Sequence, residues 1–200
     1  MKRSTPKKRV WQDHYTRQAK KENYPARSVF KLQEMQAKYR LIKPGDRVLD
    51  LGCAPGSWLL YTARLVGQTG QVLGVDQSPV ELSLPAHVRV LNEDVFQLKP
   101  ALPEPLGKRF DVVISDMAPA TTGNRGVDAA RSYQLSCQAL ELADRLLVPG
   151  GHFACKIFQG PDFEPFREQV RRCFVQQRNF KPKSSRKASK EIFVIGLGKK

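Results

Sequence analysis

The chain has 200 residues, 34 Lys and Arg against 19 Asp and Glu, a formal net charge of +15, and 40% hydrophobic residues. That length predicts one domain, and that apolar content excludes a disordered or collagen-like chain. No apolar run approaches the roughly 20 residues that span a bilayer, and the basic start MKRSTPKKRVWQDHYTRQ lacks the apolar stretch of a secretory signal, so a soluble cytoplasmic protein is expected.

Cys53, Cys137, Cys155 and Cys173 are widely spaced with no C-x-x-C pair, which argues against a zinc site and a disulfide framework. His14, His87 and His152 show no ligand spacing, and no metal is expected. The charge is segregated. Residues 1–43 hold 13 basic and 3 acidic side chains, residues 44–166 hold 10 and 14, and residues 167–200 hold 11 and 2. Two strongly basic ends around a mildly acidic centre fit a polyphosphate partner bound with release of counterions. A membrane surface would require a basic amphipathic helix with a strong apolar face, which residues 1–22 lack. Nucleic acid is therefore the expected partner, with a solubilising tail as the alternative.

In chain order, residues 1–23 are polar, basic and aperiodic, and are expected to form a mobile extension until a partner orders them. Residues 24–200 are expected to form a single domain. Between Pro25 and Ile42, apolar Phe30, Leu32, Met35, Tyr39 and Ile42 recur at roughly helical spacing, and Pro44-Gly45 stops the helix. RVLDLG (47–52), QVLGVD (71–76), VRVLNED (88–94), FDVVISD (110–116) and HFACKIF (152–158) read as strands buried on both faces of a parallel sheet. Helices are predicted over 58–67, 128–147 and 162–175, a loop over the Pro-rich 100–105, and a last strand pair or hairpin around 190–198. Strands alternating with helices predict a doubly wound α/β sheet with right-handed crossovers.

VLDLGCAPGSW (48–58) is a strand, a glycine-containing turn and a helix start, the place where open α/β sheets bind ligands. Gly52 and Gly56 allow close backbone approach. The spacing is neither G-x-G-x-x-G nor a phosphate-binding loop ending in Gly-Lys-Ser/Thr. Asp50, two residues before Gly52, suits a ligand with an amino group; Asp76 is placed to accept from a ribose diol; Asp94 is placed near an adenine amine. S-adenosylmethionine carries all three groups. Asp116, after the fourth strand, and Lys156, inside an apolar strand, stand out because buried charge is costly unless paired or functional. Lys31 and Glu191 are further candidates.

ARSVFKL (26–32), LDLGCAPGSW (49–58), GVD (74–76), SDMAP (115–119), CKIFQG (155–160) and KPKSSRKASKEIF (181–193) follow one another along nearly the whole chain. In these motifs the chain resembles the FtsJ/RlmE-type ribosomal RNA 2′-O-ribose methyltransferases. The resemblance implies a Rossmann-like class I S-adenosylmethionine-dependent methyltransferase fold, with a mostly parallel seven-stranded sheet flanked by helices. It implies a catalytic tetrad of Lys31, Asp116, Lys156 and Glu191, with Lys156 as proton acceptor. It also implies donor contacts at Gly56, Trp58, Asp76, Asp94 and Asp116, beside Asp50 and Gly52. The implied substrate is a uridine ribose of 23S ribosomal RNA in the assembled or nearly assembled large subunit, and a monomer without DNA or membrane partners is expected. The chain departs from the pattern at Ala120, where Asn is common, at Phe193, where Tyr is common, and by two residues inserted between Asp76 and Asp94.

Methyl transfer to a ribose hydroxyl is an in-line displacement that needs close positioning and help with the hydroxyl proton. The basic ends would contact RNA phosphates through Lys7, Lys8, Arg9, Arg17, Arg27, Lys181, Lys183 and Arg186, and such contacts position RNA without reading its sequence. Trp11 and Tyr15 are candidates for stacking on an unpaired base. Competing readings are 2′-O-methylation of transfer RNA, a non-catalytic ribosome assembly factor, and a base or protein methyltransferase. The last is disfavoured by Asp-Met-Ala-Pro where an Asn/Asp-Pro-Pro-Tyr-type loop is expected.

Overall fold

Seven strands form one sheet in the order β3-β2-β1-β4-β5-β7-β6. The structure is a computed structural model and describes residues 7–98, 109–186 and 188–200, with side chains from residue 14 onward. The elements are α1 (Lys7–Lys21), α2 (Val29–Tyr39), β1 (Arg47–Leu51), α3 (Ser57–Val66), β2 (Gln71–Asp76), β3 (Val88–Asn92), β4 (Phe110–Ser115), α4 (Arg125–Leu146), β5 (Leu147–Phe158), α5 (Phe163–Cys173), β6 (Phe174–Phe180) and β7 (Glu191–Lys199). β1 pairs in parallel with β2 and β4, β2 with β3, and β4 with β5. β7 runs antiparallel between β5 and β6.

Alternation along each strand builds two cores. Leu49, Leu73, Val113 and Phe153 face α4 and α5, while Val48, Val72, Val112 and Ala154 face α2 and α3. This is the continuous apolar pattern expected of strands covered on both sides. α2 ends where Arg40 turns left-handed at φ 51° and its N–H reaches the Gln36 carbonyl, and the Gln36 side chain then bonds Ile42 through both its oxygen and its nitrogen. Asn124 caps α4 by accepting from the Gly126 and Val127 amides.

Three expectations are corrected. Residues Lys7–Lys21 are helical rather than aperiodic, and the end of α1 is docked: Ala19 is buried and clusters with Tyr24, Val29 and Phe30, with Tyr15 packed against them. The helix carries no long apolar stripe in its sequence, KKRVWQDHYTRQAKK. The helix predicted to reach residue 175 ends at Cys173, and Phe174–Phe180 is strand β6. As an edge strand with mostly exposed residues, FVQQRNF carries little apolar signal. Residues 191–199 are one strand rather than a hairpin. The Pro-rich 100–105 loop lies outside the described residues.

Candidate active site

Chain order reverses between β1 and β4, and beyond their carboxyl ends opens a cleft of about 480 Å³. Gly52, Ala54, Asp76, Asp94, Asp116 and Met117 are among its walls. Gly52 has φ +79°, and a Cβ there would come within 2.6 Å of the Met117 side chain, so glycine lets the β1 and β4 ends converge. Asp76 is fixed by the Ala54 amide (2.9 Å) and the Ser78 amide (2.8 Å). β3 ends at Asn92, so Asp94 lies in the following turn, where it accepts from the Phe96 amide at 3.0 Å.

Asp50 is fully buried, and neither carboxylate oxygen has a hydrogen-bond partner among the described residues. Burial pushes its pKa well above the usual carboxylate range, with Asp116 and Asp76 adding to the effect. Gly56 immediately precedes α3, packed against Leu82 and Val80. The Trp58 ring is not a wall of the cleft. Its indole N–H donates to the Ser28 carbonyl at 2.9 Å, and the ring stacks on Phe193 with centroids 6.0 Å apart.

Lys31, Asp116, Lys156 and Glu191, from α2, the end of β4, β5 and the start of β7, meet in one cluster. Lys156 Nζ lies 2.9 Å from Asp116 Oδ1 and donates also to the Asp116 carbonyl. Lys31 Nζ lies 3.6 Å from the same Oδ1 and 2.8 Å from Glu191 Oε2. Register explains the meeting: Lys156 pairs with Phe193 and Phe158 with Glu191, which brings the start of β7 to the end of β5. Ser136 Oγ donates to the Lys156 carbonyl, tying the strand to α4. Burial presses the Lys31 pKa down, but Asp116 and Glu191 outweigh it and the net direction is up. Burial presses the Glu191 pKa up, yet Lys31 outweighs it and the net direction is down. Lys31 and Glu191 are thus a committed ion pair.

The cluster also borders a second cavity of about 230 Å³, lined by Arg27, Ser28, Lys31, Ser184, Arg186, Ser189 and Glu191. Asp116 faces the first cavity, while Lys31 and Glu191 face the second. Of the basic residues expected on RNA, Arg27 and Arg186 line this second cavity, Arg17 is exposed on α1, and Lys183 is exposed. Lys181 is used within the protein instead, donating to the Ser189 carbonyl at 2.7 Å and to the Glu191 carbonyl; burial lowers its pKa. The side chains of Lys7, Lys8, Arg9 and Trp11 lie outside those described. Sequence reasoning missed Glu34, whose two carboxylate oxygens accept from the Lys183 amide (2.7 Å) and the Ser184 amide (2.8 Å). Its position three residues after Lys31, on the same face of α2, was the available signal.

A Rossmann-like sheet with an antiparallel strand slotted between β5 and β6, and two amines alternating with two carboxylates beside the switch point, defines a methyltransferase. The profile of the FtsJ-like methyltransferase family matches residues 24–199. The chain is 53% identical over 198 residues to the ribosomal RNA large subunit methyltransferase E of Desulforapulum autotrophicum, covering 99% of this chain and 98% of that one. It is 52% identical over 201 residues to the protein of that name from Desulfosudis oleivorans, covering 100% and 97%. Among solved structures, a Plasmodium falciparum chain described as a ribosomal RNA methyltransferase superposes with a TM-score of 0.77 at 22% identity, covering 88% of this chain and 98% of that one, a likeness of fold. The chain belongs to the FtsJ-like methyltransferase family.

Proposed function

We propose that this protein transfers a methyl group from S-adenosylmethionine to the 2′-hydroxyl of a uridine in 23S ribosomal RNA, acting in the cytoplasm on the assembled or nearly assembled large subunit. The observation that carries the proposal is the Lys31–Asp116–Lys156–Glu191 cluster standing between two cavities, one acidic and one basic. The names of the relatives support the ribosomal substrate.

The acidic cleft fits the donor. Asp76, in the wall of the cleft, is held rigidly by two amides where a ribose diol would be met, and Asp50, near the end of β1, is a buried carboxyl with no partner among the described residues, suited to an ammonium. Asp94 and Asp116 complete the acidic wall. S-adenosylmethionine supplies an electrophilic methyl group on a sulfonium. The protein holds the acceptor hydroxyl in line and deals with its proton. Lys31, committed to Glu191 with its pKa raised, keeps its own proton and supplies fixed positive charge for the oxygen as charge develops. Lys156 Nζ, which Asp116 orients through its carboxylate and its carbonyl, is the proposed proton acceptor and takes the hydroxyl proton as the neutral amine.

Lys156→Ala is expected to lower methyl transfer by at least about a hundredfold, the usual contribution of a positioned acid–base group, while leaving donor affinity within about twofold. The measurement is incorporation of labelled methyl into large subunits from cells lacking the protein, with ribose mapping of the product. A fully active variant, or label on a base, overturns the assignment.

A further inference from the structure

The second cavity contains a feature that the reaction does not use. Ser184 is only 2% exposed, and its hydroxyl has no hydrogen-bond partner among the described residues. An unpaired buried hydroxyl carries an uncompensated desolvation cost. The chain nonetheless fixes it firmly. Glu34 grips the amides of Lys183 and Ser184, and Arg27 Nη2 donates to the Ser184 carbonyl at 2.7 Å. Arg27 is itself steadied, its guanidinium lying 5.2 Å from the Tyr15 ring centroid. Arg186 approaches the same space, close enough that its charge depresses the Arg27 pKa, an effect second to burial. Two guanidiniums lining one small cavity offer it donors suited to an anion.

We infer that this cavity seats a single phosphate group, held by Arg27, Arg186 and the Ser184 hydroxyl, and that in the RNA acceptor it takes the phosphodiester beside the reacting ribose. The inference deepens the function proposed above and rests on it for the carrier of the phosphate. Among the described residues lining the cavity, Arg27, Lys31 and Arg186 are basic and Glu191 is acidic, with Glu191 paired to Lys31. Ser28, at the amino end of the 11-residue α2, makes no side-chain cap and also lines the cavity. Location decides which phosphate. Lys31 and Glu191 belong both to the cavity wall and to the catalytic cluster. An anion seated there is within a few bonds of the reacting oxygen, and a ribose 2′-oxygen neighbours its own 3′-phosphate. The site thereby selects a polymer over a free nucleoside without reading the base.

The test uses inorganic phosphate and the full chain at low ionic strength, with amide shifts of residues 184–189 followed by NMR. Saturable shifts localised there are expected. Arg186→Ala should weaken binding about tenfold and Ser184→Ala about threefold, while Arg178→Ala, which removes equal charge from the exposed β6 edge, should change it less than twofold. Ser184→Ala deletes an unpartnered hydroxyl, so it should unfold in urea no earlier than wild type, which separates lost binding from damage. In methyl transfer, Arg186→Ala should raise the apparent KM for RNA with kcat and donor affinity held. Shifts that are absent, or equally weakened by Arg178→Ala, overturn the site while leaving the transferase reading intact if wild type still methylates ribosomal RNA. Localised phosphate binding without any RNA methylation keeps the anion site and overturns its assignment to an acceptor RNA.

Discussion

At the level of single side chains, Asp50 and Lys31 show opposite solutions to buried charge. Lys31 is matched by two carboxylates, whereas Asp50 has no partner among the described residues and holds its proton by burial. The sign of the pH effect follows. A carboxyl whose pKa is raised on folding supports the fold fully below its ordinary value of 3.8, and that support drains away as pH climbs toward the folded value. Asp50→Asn stays neutral at every pH. Its urea midpoint is therefore expected to exceed that of wild type at pH 8, with the difference shrinking toward pH 4. Parallel profiles for the two proteins would count against a buried protonated carboxyl.

Among the elements, β7 bears the most. It carries Glu191 at one end and lies against β5 and β6 along its length. Gly196 lies midway, where a Cβ would come within 2.5 Å of the Phe174 ring, and Phe174 in turn stacks on Phe153 with centroids 5.8 Å apart. Gly196→Ala is expected to cost about 1–3 kcal/mol by overpacking, seen as a lower urea midpoint with an unchanged slope; wild-type stability would show that the ring yields freely. The central strands were legible because RVLDL, QVLGVD and FDVVIS are apolar on both faces. β6 was not, because its exposed Gln, Arg and Asn residues record an edge, and α1 was not, because Lys7–Lys21 is polar and basic and its buried residues, such as Ala19, form no apolar stripe. Asp50, Asp76, Asp116 and Lys156 were legible as charges at or inside apolar strands. Glu34 and Ser184 were not, since their importance arises from a contact across about 150 residues of chain.

Over the molecule as a whole, charge separates by cavity: acids line the cleft at the β1–β4 reversal and bases dominate the space beside α2. Residues 1–13 add Lys2, Arg3, Lys7, Lys8 and Arg9 against Asp13. If these five cations meet phosphates, deleting residues 1–13 should flatten the plot of log affinity for RNA against log salt by about 3.5, at roughly 0.7 per single-stranded phosphate, with donor affinity unchanged; equal slopes would place those cations off the RNA. The four clustered side chains come from α2, from the residue after β4, and from β5 and β7, with Lys31 and Glu191 separated by 160 positions. Because β7 wedges between two strands made before it, a nascent chain stopped ahead of Glu191 has a gap in its sheet and lacks the closer of the two carboxylates that meet Lys31. The sheet therefore closes only when the strand that carries Glu191 enters it, so the cluster of two amines and two carboxylates is assembled late in synthesis.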